Sequence, residues 1–413
     1  MVENHAQRNM VFSLYASNDL TGDSDMGEAA SGSQTRFYYS LEKDGALEPV
    51  APVFKPIRFN TATLNRDGTQ IDSNENNPSR QRPPSRRGTY SVVGEMLSEL
   101  TAGSFDDLMA AALQSEWSGG AVINASMLNF LSADNSINDP FGRFVSSGFI
   151  DTDTISIQGA SDPANNGTGL TATTVTANKI IVSGATFVDE DLGQPVIVAT
   201  SGDELIVGSY VPTFTIIEVH NDIGVQNAYS GCRVNEIGLA APLNEAAKLT
   251  FGYIGEKVEE FIAPGDAVFQ DATGTPMMVT TSGYLEEAGA VIDYATDYTA
   301  TMSNNMEALY ALFSRSAYSV SNGVFTVEGS MSAYMPDDAL INNFINEVEV
   351  DHVIQLQDNE APVNFIRFTF PTVNYTQLDK PVDGQGAIIQ NYTLSAGYDE
   401  TAGTTVKIER GTV

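Results

Sequence analysis

From Gly88 the chain reads GTYSVVGEMLSEL, and its side chains alternate. Tyr90, Val92, Met96 and Leu100 fall on one face, and Ser91, Val93, Glu95 and Glu99 on the other. Period two is the period of a strand. One apolar face and one half-polar face predict an antiparallel sheet wetted on one side. The pattern then changes. Phe105, Leu108, Met109, Ala112 and Leu113 recur at helical spacing. Ser104 is placed to cap that helix, with Asp106 and Asp107 in its positive first turn. Trp117 is expected to pack beneath its end. The same strand–break–helix pattern returns from Gly323 as GVFTVEGSMSAYMPDDALINNFI, at an offset of 235 residues. At that offset Tyr90 falls on Phe325, Val92 on Val327, Gly94 on Gly329 and Met96 on Met331. All four pairs keep to one strand face. Upstream, Thr61-Ala62-Thr63-Leu64 is echoed by Thr299-Ala300-Thr301-Met302, at an offset of 238. Two nearly equal offsets point to one folding unit present twice. In the second helix Pro336 opens the first turn, Asp337 and Asp338 follow, and Leu340, Ile341, Phe344 and Ile345 form the apolar stripe.

The rest of the chain arranges itself around these two stretches. Residues 1–50 read as an arm, with strand-like pieces at Met10–Tyr15 and Phe37–Leu41 around a Gly/Ser/Asp/Glu-rich loop, Asp19–Ser33. Residues 51–255 form the first unit. A turn-rich insertion at about 120–210 carries short β-runs at Thr154–Gln158, Lys179–Val182, Pro195–Ala199 and Glu204–Val207, the pattern of a small all-β module. Residues 256–291 connect, and 292–413 form the second unit. Each unit resumes after its helix with three strands. These are Thr213–Val219, Cys232–Leu239 and Lys248–Ile254 in the first, and Val353–Gln357, Asn364–Phe370 and Ile388–Tyr398 in the second. Between Asn65 and Arg87 no apolar periodicity survives. Arg80, Arg82, Arg86 and Arg87 cluster there around Pro83 and Pro84, which keep the segment extended.

Composition narrows the function classes. At 413 residues and 42% hydrophobic the chain can bury a core. No apolar run approaches the length of a membrane span, and the first residues lack the basic and apolar regions of a secretory signal. A single cysteine, Cys232, excludes an internal disulfide framework. The net charge of −33 repels nucleic acid over most of the surface. The arginine cluster has no interleaved aromatics for stacking bases. In so acidic a protein it is better suited to docking on an acidic surface of another copy. Three histidines, His5, His220 and His352, stand apart in sequence, and no Walker A, zinc or nucleophile-elbow motif occurs. Asp134, Asn138 and Asp139 lack the glycine and closing glutamate of a calcium loop. Carboxylates abound, but no constellation argues for an enzyme or a cofactor.

The order of several stretches resembles the major tail tube proteins of bacteriophages with long, non-contractile tails. The resemblance is carried by Phe54-Lys55-Pro56-Ile57-Arg58-Phe59, by Arg87 to Leu113, by Tyr229 to Ile237 with Leu249 to Gly255, and by Tyr298 through Ala396. It implies a mainly β fold: two tandem tube-type β-sandwich or barrel domains, each with one flanking α-helix, plus the small all-β insertion. It implies rings stacked into a tube, with sheets from several subunits joined around a lumen. Most members form hexameric rings from one domain; two domains per chain imply trimeric, pseudo-hexameric rings. The expected lumen-lining residues are Ser91, Glu95, Glu99, Thr326, Glu328 and Ser330. The Asn65–Arg87 segment resembles the family's inter-ring loop, which would place Arg80, Arg82, Arg86 and Arg87 against the next ring. The implied partners are the chain itself, tape measure, tail tip and tail terminator proteins, and phage DNA that passes without specific binding. The implied location is the virion tail, assembled in the host cytoplasm, with no membrane. A competing reading is an acidic β-rich cell-surface or capsid decoration protein. That leaves the repeated strand–helix unit unexplained. A carboxylate glycosidase rests on nothing beyond abundant acids.

Overall fold

The computed structural model describes residues 29–412, apart from 44–45, 48–51, 77–80, 118–120, 126–127, 148, 150–152, 159, 191–195, 201–202, 359–363 and 383–385. The expected strand Met10–Tyr15 and most of the Asp19–Ser33 loop lie outside the described residues. No described helix is long and apolar enough to cross a membrane.

Eight strands form one continuous antiparallel sheet. They are β1 (Thr61–Ile71), β2 (Arg86–Glu99), β3 (Val225–Pro242), β4 (Lys248–Gly255), β5 (Ala295–Ser303), β6 (Thr326–Tyr334), β7 (Asn364–Asp379) and β8 (Ile389–Ala396). Their spatial order is β1-β2-β4-β3-β5-β6-β8-β7. The first four belong to the first repeated stretch and the last four to the second. They meet where β3 pairs with β5, from Glu236↔Ser303 to Pro242↔Asp297.

The two halves share their register. Val92↔Gly255 and Met96↔Phe251 in β2–β4 match Val327↔Ala396 and Met331↔Tyr392 in β6–β8. The irregularity between Val234 and Glu236 in β3 recurs between Tyr375 and Gln377 in β7. The sequence echo at Thr61–Leu64 needs one correction. Ala62 pairs Met96 while Tyr298 pairs Met331, so Thr61–Leu64 occupies the place of Asp297–Ala300, not of Thr299–Met302. The slip is two residues, which leaves every side chain on the expected face.

A second layer closes the core behind this sheet. Beyond their irregularities β3 and β7 continue into outer strands. Phe214–His220 pairs with β3, and Val350–Gln357 with β7. Thr35–Lys43 pairs with Phe214–His220 and with Val53–Ile57. The segment 256–291 is more than a connection: Lys257–Glu260 pairs with β3, and Gly283–Glu287 with Val350–Gln357. Between the layers lie Val92, Met96, Ile237, Leu249 and Phe251 from the first half, with Val327, Met331, Phe368, Tyr392 and Leu394 from the second. Cys232 is fully buried among them.

Helix α1 (Asp106–Ala112) and helix α2 (Ala339–Ile345) fall where the spacing predicts. Leu108, Met109, Ala111 and Ala112 are buried. Trp117 donates its indole N–H to the Asp106 carbonyl at 2.9 Å and lies under the Arg410 guanidinium. The capping differs from expectation. Phe105 is the N-cap of α1, because the Ser104 hydroxyl instead bonds Thr101 and Thr273. Pro336 and Asp337 precede α2 rather than enter it; the Asp337 carboxylate accepts from Ala339 N–H at 3.0 Å and forms a turn before the helix. Ile345, placed in the buried stripe by sequence, is exposed, since this short helix rests mainly on Leu340.

The insertion is a separate seven-stranded sheet with its own core, including Phe130, Ile137, Phe144, Ile155 and Val198. Asp139 is buried there and held by Arg143 at 2.8 and 2.9 Å. The run at Glu204–Val207 is not part of this module. Asp203–Ile206 pairs with Lys407–Thr412, and through it joins the second half of the chain.

One buried polar group makes the second half pH-sensitive. His352 occupies the place that Ile216 holds in the first half, as the registers Ile216↔Tyr229 and His352↔Phe370 show. Tyr375 donates to Glu287 at 2.9 Å, so its oxygen is free to accept from His352 Nε2–H at 3.1 Å. Nδ1 then faces the Tyr298 hydroxyl at 3.4 Å. Burial holds the imidazole down at about 4. The unfolded chain takes the proton near pH 6.5, so this contribution is complete above that pH and is lost as pH falls towards 4. Between pH 7 and pH 4 the wild type should lose about 3 kcal/mol more than His352→Ile in urea unfolding. Identical pH profiles would refute this.

Candidate channel-lining face

The strand alternation that buries one face of the eight-stranded sheet leaves the other open. On β1 this face carries Thr61, Thr63 and Asn65; on β2, Val93, Glu95 and Glu99. Across β4 and β3 it continues through Thr250, Gly252, Glu236 and Gly238. In the second half it carries Asp297, Thr299 and Thr301 on β5, Thr326, Glu328, Ser330 and Ser332 on β6, and Asn391 and Thr393 on β8. Small hydroxyl side chains dominate and bond across strands. Thr299 and Ser330 hydroxyls are 2.8 Å apart, Ser332 donates to Asn391 at 2.8 Å, and Thr63 donates to the Glu95 carbonyl at 3.4 Å.

The charge on this face is negative. Glu95 and Glu236 flank Gly252 from either side. Partial burial, and then the nearby Glu95, raise the carboxyl of Glu236 above its usual range. Partial burial, and then Glu245, do the same to Asp297. Among the described residues a cation sits on this face only at the rim: Lys248, held by Glu245 at 2.6 Å. Such a face offers a polyanion neither a counter-charge nor a stacking platform.

Of the six residues expected here, Glu95, Thr326, Glu328 and Ser330 are exposed on this face and Glu99 is half-buried. Glu99 Oε1 accepts from Asn60 at 3.2 Å. Ser91 is corrected. It points the same way but is only 5% exposed, beside the point where Tyr90 N–H donates to the Arg315 carbonyl. That contact brings the β5–β6 connection against β2, a crossing no local pattern announces. Sequence reading singled out only β2 and β6 and missed Glu236, Asp297, Thr299, Thr301 and Asn391. For the last four the signal was present: Asp297–Ser303 and Asn391–Ala396 alternate polar with apolar residues.

The arginine segment also differs from expectation. Gln70↔Arg87 and Ile71↔Arg86 are paired, so β1 and β2 extend as a hairpin beyond the sheet, and Arg86 and Arg87 lie on strand rather than loop. Both are exposed and have no acidic partner among the described residues. Arg82 remains in the connecting loop, paired with Asp72 at 2.9 Å. Arg80 lies outside the described residues. Arg66 stacks on Tyr90 at 3.7 Å from the ring centre. The opposite end of the sheet exposes Glu245, Asp293, Asp337 and Asp338.

Nothing in this arrangement resembles a reaction centre. Among the described residues no group of three His, Cys, Asp or Glu side chains converges as metal ligands do. A polar cleft of about 180 Å³ lies elsewhere, between Tyr39, Lys55, Ser104 and Thr273, and its Lys55 is already paired with Asp107.

No curated protein matches the chain. The family model described as phage tail tube protein matches residues 32–396, from the first outer strand to the end of β8. The chain therefore belongs to the phage tail tube protein family, a mainly β structural component of the virion tail.

Proposed function

We propose that the chain is the major tube subunit, that its two halves are a duplicated tube domain, and that three copies close each ring. One observation carries this reading. Inside the chain, β3 of the first half pairs with β5 of the second, while β1 and the end of β7, at the two sides of the sheet, have no further strand partner among the described residues. β1 holds in the first half the place β5 holds in the second, and β7 the place of β3. The internal junction is thus a template for the external one, β7 of one copy against β1 of the next. Closing the sheet removes two edges that would otherwise template aggregation. At about 4.8 Å between strands and a tilt near 40°, three copies close a barrel about 45–50 Å across between backbones. Two copies give about 30 Å, which side chains reaching in from both walls narrow further, and six give about 95 Å.

In this ring the Thr/Ser/Glu face lines the channel and repels the DNA that passes. Arg82, Arg86 and Arg87 at one end meet Glu245, Asp293, Asp337 and Asp338 at the other end of the copy above. Partners in the tail are the chain itself and the tape measure, tip and terminator proteins; assembly takes place in the host cytoplasm. Negative-stain electron microscopy of the concentrated protein tests the reading. Threefold rings or tubes with an open channel are expected, with tail-tip complexes added if an initiator is required. Arg86→Glu/Arg87→Glu should stay folded and give far shorter tubes. Persistent absence of tubes from the wild type with tips present would favour the surface or decoration protein instead.

A further inference from the structure

Exposed apolar residues stand at both ends of the sheet. The connection from β5 to β6 carries a small hairpin, Glu307–Leu309 paired with Ser319–Ser321. Its inner side is anchored, with Val320 and Met306 packed on Ile254. Its tip is not. Leu312 is 87% exposed and Phe313 fully so, with Tyr310 and Tyr318 exposed beside them. Phe313 has φ 69°, the left-handed region that a bulky residue enters only at a cost. The turn therefore holds an aromatic ring out in water instead of folding it onto the core. At the other end of the sheet Leu243 follows β3 and Met335 follows β6, both exposed and both continuing the core-facing parity of their strands.

The tip cannot reach that end in its own chain. β5 and β6 are nine residues long, so the ends lie about 30 Å apart. A second copy stacked in the same orientation brings the two together. We infer that the Leu312–Phe313 tip docks on the end of the sheet that exposes Leu243 and Met335 in the copy of the adjacent ring. The inference rests on the tube reading and names the surface that makes the axial contact. Charge supports the same polarity, because the end that carries the tip also carries Arg86 and Arg87, and the end with Leu243 and Met335 carries Glu245, Asp337 and Asp338. The matched connection in the first half, residues 72–85, contains no large apolar residue. Each chain then gives the next ring one arginine contact and one apolar contact. A contact between unlike surfaces leaves one surface open at each end of the stack, so it propagates.

The test uses the full chain, sheared wild-type tubes as seeds, and sedimentation with electron microscopy. Phe313→Asp should keep the wild-type circular dichroism spectrum and lower the pelletable fraction at least tenfold, and Phe313→Leu should restore it. Leu243→Asp should fail equally. Phe313→Asp retains its own Leu243 surface, so a small fraction of it mixed with wild type should cap the tip-bearing end and shorten the tubes. Normal tubes from Phe313→Asp overturn the inference and leave the tube reading intact; a seeded wild type that never elongates overturns both.

Discussion

Mild oxidation of tubes assembled from the double variant Asn65→Cys/Asp379→Cys is expected to give a covalent trimer as the largest product on a non-reducing gel. The expectation comes from carrying the β3–β5 register over to β7 and β1. Gly238↔Thr301 inside the chain becomes Asp379 opposite Asn65 of the next copy, with Leu378 opposite Arg66 and Lys380 opposite Leu64. The hydrogen-bonding parity follows from the same junction. Leu243 N–H donates to the Thr296 carbonyl and Asn304 N–H to the Asn235 carbonyl, so alternate residues Ile237, Leu239 and Ala241 face the seam. Their counterparts are Leu378, Lys380 and Val382. Pro381, which has no N–H to give, falls between them, and its gap points away from the neighbour. Asp379 and Asn65 are then a non-hydrogen-bonded pair, with Cα atoms about 4.5 Å apart and side chains on one face. That distance lies within the disulfide range of about 4.4–6.8 Å. Asn65→Cys with Gln377→Cys is offset by two residues and should link poorly. Cys232 does not interfere, because burial keeps its thiol protonated and out of reach. A ladder ending at three counts the chains in the ring; one ending at six, or faster linkage in the offset pair, would sink the trimeric register.

The parts of this architecture that could be read from sequence are those with one dry face. β2 and β6 announce themselves because Val92 and Met96, and Val327 and Met331, must be buried every second residue. The helices show by the same logic at their own period. Where both faces are wet, the pattern falls silent. The outer part of the β1–β2 hairpin has no core to face, so Asn65–Ile71 and Arg86–Arg87 carry no alternation and read as loop. Long-range choices are equally hidden. Ser104 has cap chemistry, yet Thr101 and Thr273 claim its hydroxyl. Ser91 sits on the polar face, yet lies beside a connection arriving from the second half. Nothing local distinguishes Glu204–Val207 from the insertion before it, and only the pairing with Lys407–Thr412 assigns it elsewhere. For the candidate channel face, the sequence identifies its chemistry on two strands, and the register extends the same chemistry over the remaining strands.

Replacing Gly94 or Gly329 even by alanine should produce large losses of two different kinds. The pair is the repeated glycine of the sequence pattern, and the structure supplies its reason. A Cβ on Gly94 would overlap the Thr63 carbonyl oxygen and crowd the Leu64 backbone; one on Gly329 would overlap the Thr299 carbonyl oxygen and crowd Ala300. The obstacle in each case is backbone, which cannot turn aside as a side chain can, so the strand pair must part. Gly329 lies between β5 and β6 in the middle of the eight-stranded sheet. Gly329→Ala should therefore cost about 3 kcal/mol of folding stability, at the upper end of overpacking effects, read as a lower urea midpoint. Gly94 lies on β2 against the edge strand β1, which pairs with no other strand among the described residues. Gly94→Ala should lower the midpoint less, because only the edge strand is displaced, but it should abolish ring closure, because β1 is the strand that meets the neighbouring copy in the proposed ring. Gly238 is the control. A Cβ there would stand 3.6 Å from Thr250 Cβ, an ordinary contact, so Gly238→Ala should fold and assemble. Equal midpoints for Gly329→Ala and Gly238→Ala would remove the close-approach explanation of the repeat. Normal tubes from Gly94→Ala would remove β1 from the seam.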